Sequence, residues 1–277
     1  MLANATVPAP IAALVQAADP SWQPILARGL QAVADADPGY LPRLLTEPFL
    51  PTEDRLFAAF RQPLEAVRYV LVGEGPYPRA ASATGVCFMD GAVGSLWAAG
   101  GLSKQVNRAT SLRNFMKMLL VAQGRLDIAR TSGDALAHIG AGALAGTCGS
   151  IGTLAQLQDK LHGQGFLLLN AALVFRPEVP PIREARGWQP FLRTVLAALK
   201  DRAKDTGLTP PMLVLWGKIA AQVEALPEAE GFSKAVSEHP YNLSFIGNPD
   251  MQALFGPMKL LDAASSVPAA TTIRTAS

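Results

Sequence analysis

Cysteine and histidine are scarce in this chain of 277 residues, which has only two Cys and three His. Cys87 and Cys148 cannot build a disulfide framework or supply the four thiolates that an iron–sulfur cluster normally takes. His138, His162 and His239 are scattered without zinc-site spacing. No metal, cluster or other cofactor is therefore expected, and a reducing, cytoplasmic compartment is. Charge is thin as well: charged residues make up 17% of the chain, and 24 Lys+Arg against 22 Asp+Glu leave a formal net charge of +2. No global field selects a partner, so any partner must be read locally. Long apolar runs are missing too. Nothing approaches the ~20 residues of a membrane span, and the opening segment MLANATVPAPIAALVQAADP has prolines in its apolar stretch and no basic leader. A soluble, intracellular protein is expected, with no membrane partner. What the chain does have is apolar residues, 49% of the total, which excludes a disordered or mucin-like protein.

The first sixty residues carry six acids against three bases and pattern as helix. Ser21 is placed to cap a helix with Pro24 in its first turn and Ile25, Leu26, Leu30 and Val33 on its apolar face. From Val67 the texture changes to short aliphatic or β-branched runs that end in glycine, asparagine or proline. These are VRYVLVG (67–73), GFLLLNAAL (165–173), PMLVLWG (211–217) and AVSEHP (235–240). Apolar runs without alternation fit strands buried on both faces, as in a parallel sheet. Between them, SLRNFMKMLL repeats Leu112, Phe115, Met116, Leu119 and Leu120 at helical spacing. GWQPFLRTVLAALK, with Pro190 near its first turn, does the same through Leu192, Val195, Leu196 and Leu199. Alternating strand and helix predicts a three-layer αβα sandwich around a four-stranded, mainly parallel sheet. Ligands of such sheets sit beyond the carboxyl ends of the strands. Residues 1–19 are expected to be a flexible N-terminus, 20–262 a single domain and 263–277 a disordered tail. One window, 101–130, holds six bases against the single acid Asp127; it is a solvated helix face or a phosphate-facing surface with Arg113 and Lys117 as the first contacts to inspect.

Seven segments recur in one order: GEGPYP (73–78), GVCF (85–88), SLRN (111–114), LLLN (167–170), Gly187-Trp188 with Phe191, VLWGK (214–218) and HPYNLS (239–244). Each alone is weak, since a Gly-Pro-Tyr turn, an Asn after a strand or a His before Pro has ordinary structural uses. Together they resemble the uracil-DNA glycosylases, from about Trp22 to about Leu261. In that family the corresponding loops read GQDPYH, GLAFS or GLCFS, and HPSPLS.

The resemblance implies hydrolysis of the N-glycosidic bond of a uracil, or related damaged base, flipped from DNA, by a monomer without metal or cofactor. It places Phe88 under the base and Asn170 on its Watson–Crick edge, where the amide complements the N3–H and O4 of uracil. Tyr77 would face C5 and clash with a thymine methyl. His239 would donate to the charge developing on O2. Leu243 would wedge into the duplex, with Ser244, Ser111 and Arg113 on the DNA.

Four positions depart from the pattern. Gly75 replaces the aspartate that positions the attacking water, Pro78 replaces a histidine, and Tyr241 and Asn242 replace a serine and a proline near the phosphates. Losing one such electrostatic group costs ~2.7–4 kcal/mol of transition-state stabilisation. Glu74 stands beside the vacant position, and a GEGP loop also resembles the iron–sulfur members of the superfamily, which lack the aspartate; two cysteines do not suffice for their cluster. Glu74 is thus either a substitute acid or a turn cap. A catalytically impaired homologue that binds DNA or a protein partner through the same cleft is the competing expectation.

Overall fold

The computed structural model describes residues 6–263. The helices are α1 (Ala9–Ala13), α2 (Gln23–Ala36), α3 (Tyr40–Arg43), α4 (Lys104–Arg108), α5 (Thr110–Ala122), α6 (Asp134–Leu144), α7 (Leu154–Gly163), α8 (Pro181–Thr206), α9 (Ile219–Glu224) and α10 (Pro249–Phe255). Strands β1 (Tyr69–Gly73), β4 (Phe166–Asn170), β5 (Met212–Trp216) and β6 (Lys234–Ser237) form a parallel sheet in the order β4-β1-β5-β6, while β2 (Trp97–Ala98) and β3 (Gly101–Leu102) make a small antiparallel hairpin. No helix among the described residues is long and apolar enough to cross a membrane.

The period of two along the strands divides their side chains between two cores. Val70, Val72, Leu167, Leu169, Leu213 and Leu215 face α2 and α8. Leu71, Phe166, Leu168, Val214 and Trp216 face α5, α7 and α10. Both faces are covered, so the central strands are apolar at consecutive positions and no polar stripe interrupts them. β6 differs from the expectation of a strand buried on both faces: it pairs only with β5, its Lys234 is exposed and Val236 is 42% exposed. A polar, half-exposed sequence is what an edge strand requires.

Several local expectations change. Ser21 does not cap α2; its hydroxyl donates to Asp19 at 2.6 Å and accepts from the Leu64 N–H at 2.9 Å, tying the helix entry to the segment before β1. α8 begins at Pro181 rather than near Gly187, which puts Pro190 inside the helix. The expected flexible N-terminus is packed from α1 onward, with Ile11, Val15 and Ala18 buried in the first core. Residues 1–5 and the tail from 264 lie outside the described residues.

α2 and α8 approach closely because Gly29 lacks a side chain: a Cβ there would come within 2.6 Å of the Phe191 ring, which is 1% exposed. Overpacking a filled core costs about 1–3 kcal/mol. Gly29→Val therefore lowers unfolding stability by about that amount, read as a reduced urea midpoint with an unchanged m-value.

Candidate active site

Strand register makes the site. Gly73 pairs with Asn170 and Trp216 with Ser237, so the carboxyl ends of all four parallel strands finish at one level and their loops meet there. The loop after β1 is tied to the loop after β4 by two backbone bonds, Ala171 N–H to Gly73 C=O at 2.8 Å and Ala172 N–H to Glu74 C=O at 3.1 Å. The Cys87 N–H donates to the Leu168 carbonyl at 3.0 Å and fixes the GVCF loop against β4. Between these loops lies a cavity of about 210 Å³ lined by Glu74, Gly75, Tyr77, Phe88, Ser111, Asn170 and His239, among others.

Its floor is crowded at one point. A Cβ at Gly73 would collide with Cys87 Sγ and stand 3.1 Å from Asn170 Oδ1, so only glycine leaves room for both. Cys87 is fully buried, and burial pushes its thiol up to about 12, so it lines the cavity as a neutral apolar group. Phe88 is held at φ +68°, a left-handed conformation that costs a bulky residue of order 1–3 kcal/mol. Edge-on packing against Phe115 (5.3 Å between centroids) and Trp216 (5.2 Å) keeps it there. The Tyr77 hydroxyl makes a long bond, 3.4 Å, to the Phe88 carbonyl, and burial raises its pKa, keeping the phenol neutral.

Asn170 is 5% exposed, with its amide on the cavity wall. Across the cavity, His239 Nδ1 accepts the Tyr241 backbone N–H at 3.1 Å. That bond places the proton of the neutral ring on Nε2 and makes it a donor. His239 is exposed as a residue, and partial desolvation of its ring at the cavity lowers its pKa, while the negative charge of Glu74 acts in the opposite direction. Gly217, at φ +70°, lets the end of β5 pass close to this histidine, since a Cβ there would lie 2.9 Å from His239 Cβ. Glu74 and Gly75 are exposed on the rim. A Cβ at Gly75 would meet Ala172 only at 3.6 Å, ordinary contact, so the glycine is not demanded by space.

The loop that carries His239 continues into a 3₁₀ turn, Leu243–Gly247, which displays Leu243 (68% exposed) and the exposed Ser244. Tyr241, also 68% exposed, does not fill this cavity; it lines an adjoining hollow. Asn114 is the residue whose role the sequence did not reveal. Fully buried, its amide donates to the carbonyls of Pro240 at 2.8 Å, Tyr241 at 3.2 Å and Asn242 at 3.4 Å. The available signal is an amide between the buried Leu112 and Phe115 of α5. Arg113 does not line the cavity; it bonds Asn114 Oδ1 and the Asn107 carbonyl, both at 3.3 Å. Lys117, expected as a phosphate contact, is only 9% exposed, and burial with the neighbouring Arg113 lowers its pKa. Arg125 is engaged by Ser150 and Asp262, so the cationic window is not one continuous patch.

A cavity at the carboxyl end of an open parallel sheet, lined by an aromatic ring and a buried amide, defines the class: an α/β protein with its site at the strand ends. Comparison with known proteins is more specific. No family model matches the chain. A uracil-DNA glycosylase of Corynebacterium glutamicum is 30% identical over 209 residues, covering 74% of this chain and 73% of that protein. The crystal structure of the wild-type UNG from Nitratifractor salsuginis superposes with a TM-score of 0.81 at 38% identity, covering 92% of this chain and 97% of that one. Mimivirus uracil-DNA glycosylase, at 18% identity and a TM-score of 0.50, shares the fold. The chain belongs to the uracil-DNA glycosylase family.

Two outcomes follow from this geometry. The His239 imidazole titrates below its ordinary value of 6.5, and Glu74→Gln moves it lower still; a midpoint at or above 6.5, measured by NMR, contradicts the assignment. Because the folded pKa is the depressed one, this histidine's contribution to stability is present above pH 6.5 and is lost as pH falls through the folded value. Asn114→Ala strips three carbonyls of their shared donor and lowers stability by about 1–3 kcal/mol, read by denaturant unfolding.

Proposed function

We propose that the protein excises uracil from DNA by hydrolysing its N-glycosidic bond, with the cavity beside Asn170 receiving the flipped base. The observation that carries this is the pairing of the buried Asn170 amide with a neutral His239 whose Nε2–H is free to donate, in one cavity with the Phe88 ring. An extruded uracil needs its hydrogen-bonding edge read, its face stacked and the charge on O2 stabilised, and these three groups are of the types that do so.

Asn170 selects uracil over cytosine, because a cytosine amino group would leave a buried amide donor unpaired. Tyr77 closes the cavity where a thymine methyl would stand. As the water oxygen bonds to C1′, the C1′–N1 bond breaks and its electron pair moves onto the base; His239 Nε2–H stabilises the anion at O2, the water's second proton is lost to solvent at the Glu74 rim, and the released uracil anion takes up one proton from solvent. Leu243 holds the space that the base has left, and Ser244, Ser111 and Arg113 attend the strand. Glu74, on the rim with its charge felt at His239, positions the water in place of the carboxylate that Gly75 lacks. DNA is the partner; the protein acts as a cytoplasmic monomer without an iron–sulfur cluster.

Single-turnover excision from oligonucleotides carrying one uracil tests the proposal, using protein from a host without its own uracil glycosylase. The wild type releases uracil; His239→Gln and Asn170→Ala each lower the rate about 10²–10³-fold. Glu74→Gln lowers it about 10-fold or more, and Gly75→Asp, for which space exists, raises it. No release by the wild type at high enzyme concentration would leave a binding protein in place of an enzyme, and an unchanged Glu74→Gln would remove that residue from the mechanism.

A further inference from the structure

Next to the base cavity lies a second hollow of about 450 Å³ that the steps above do not use. Tyr77 and Ser111 line both, so the two are neighbours. The outer hollow is bounded by Arg79, Asp90, Arg108 and the ring of Tyr241. Its volume is within the ~300–1,000 Å³ range of small-molecule sites.

Tyr241 is unusual in being exposed while its backbone is held at both ends. Its N–H is bound to His239 Nδ1 at 3.1 Å and its carbonyl accepts from Asn114 at 3.2 Å, yet 68% of the residue is open to solvent. Among the described residues the ring packs against no other aromatic side chain. A rigidly mounted, solvent-facing aromatic offers a π-face at little entropic cost. Asp90, 5% exposed, lies 3.7 Å from Arg79 and offsets part of that charge. Arg108, exposed at the end of α4, forms no ion pair among the described residues and supplies the remaining cation. An aromatic platform in a cationic groove is the arrangement that binds an unpaired nucleotide through its base and its phosphate.

We propose that the outer hollow holds the nucleotide adjoining the extruded uracil, its base stacked on Tyr241 and its phosphate facing Arg108 and Arg79. The assignment rests on the uracil-excision function proposed above and adds to it a second point of contact on the strand, the base next to the extruded uracil, read by the Tyr241 ring.

The test uses single-stranded oligonucleotides with one uracil and either a normal base or a tetrahydrofuran abasic residue on its 5′ or 3′ side. Anisotropy gives binding and single-turnover assays give excision. The wild type favours the base-bearing strand about 10-fold at one of the two neighbouring positions. Tyr241→Phe keeps that preference and Tyr241→Ala loses it, while Arg108→Ala reduces the slope of log affinity against log salt by about 0.7. Equal binding of base-bearing and abasic strands by the wild type overturns the proposal, as does a preference that survives Tyr241→Ala. Binding preference without excision upholds the Tyr241 site and removes the catalytic function; excision without any neighbour preference does the reverse.

Discussion

Every group at the site reaches the cavity because the parallel strands end level, and that level is set where Gly73 runs beside Asn170. The missing side chain of Gly73 gives Cys87 its place against β4 and leaves the Asn170 amide room on the cavity wall. Any larger residue would displace one or the other, and with it either the loop that carries Phe88 or the Asn170 amide on the cavity wall. The flanking cores make this register rigid: alternate strand residues are locked into apolar layers on both faces, so a one-residue slip would exchange every side chain between layers.

On the opposite rim, order comes from hydrogen bonds. Residues 239–242 form no strand or helix, and their conformation is imposed by the Asn114 amide from below and by the Tyr241 N–H bonded to His239 within. The second bond also decides chemistry, because an imidazole that accepts at Nδ1 donates at Nε2. Burial favours its neutral form and Glu74 opposes that preference, which couples the histidine to the one carboxylate beside the position of Gly75. Restraint on this loop and a free donor at the cavity are thus two results of the same contacts.

The central fold was legible because parallel strands announce themselves. Runs such as YVLVG and FLLLN are apolar at consecutive positions only where both faces are buried, and the periodic faces of α2 and α5 left no ambiguity about their cores. Site residues were legible as ordered segments at strand ends, and the structure brings Tyr77, Phe88, Asn170 and His239 into one cavity with Glu74 on its rim. What escaped was set by tertiary context. The start of α8 was hidden by Pro190, which reads as a first-turn residue yet is accommodated within a helix of 26 residues. Ser21 matches a cap by type but is claimed by Asp19 and Leu64. Lys117 belongs to a cationic window in one dimension and is withdrawn from solvent in three. Asn114 looks like a lapse in an apolar face until the loop it holds, more than a hundred residues downstream, is seen.

The central claim is that this cavity distinguishes uracil through Asn170 and His239, and the most direct measurement is NMR of the protein titrated with free bases. Uracil is expected to shift the Asn170 side-chain amide and the His239 Nε2 resonance together, while thymine and cytosine at equal concentration leave both in place. Absence of any uracil response, or an equal response to thymine, would contradict the account.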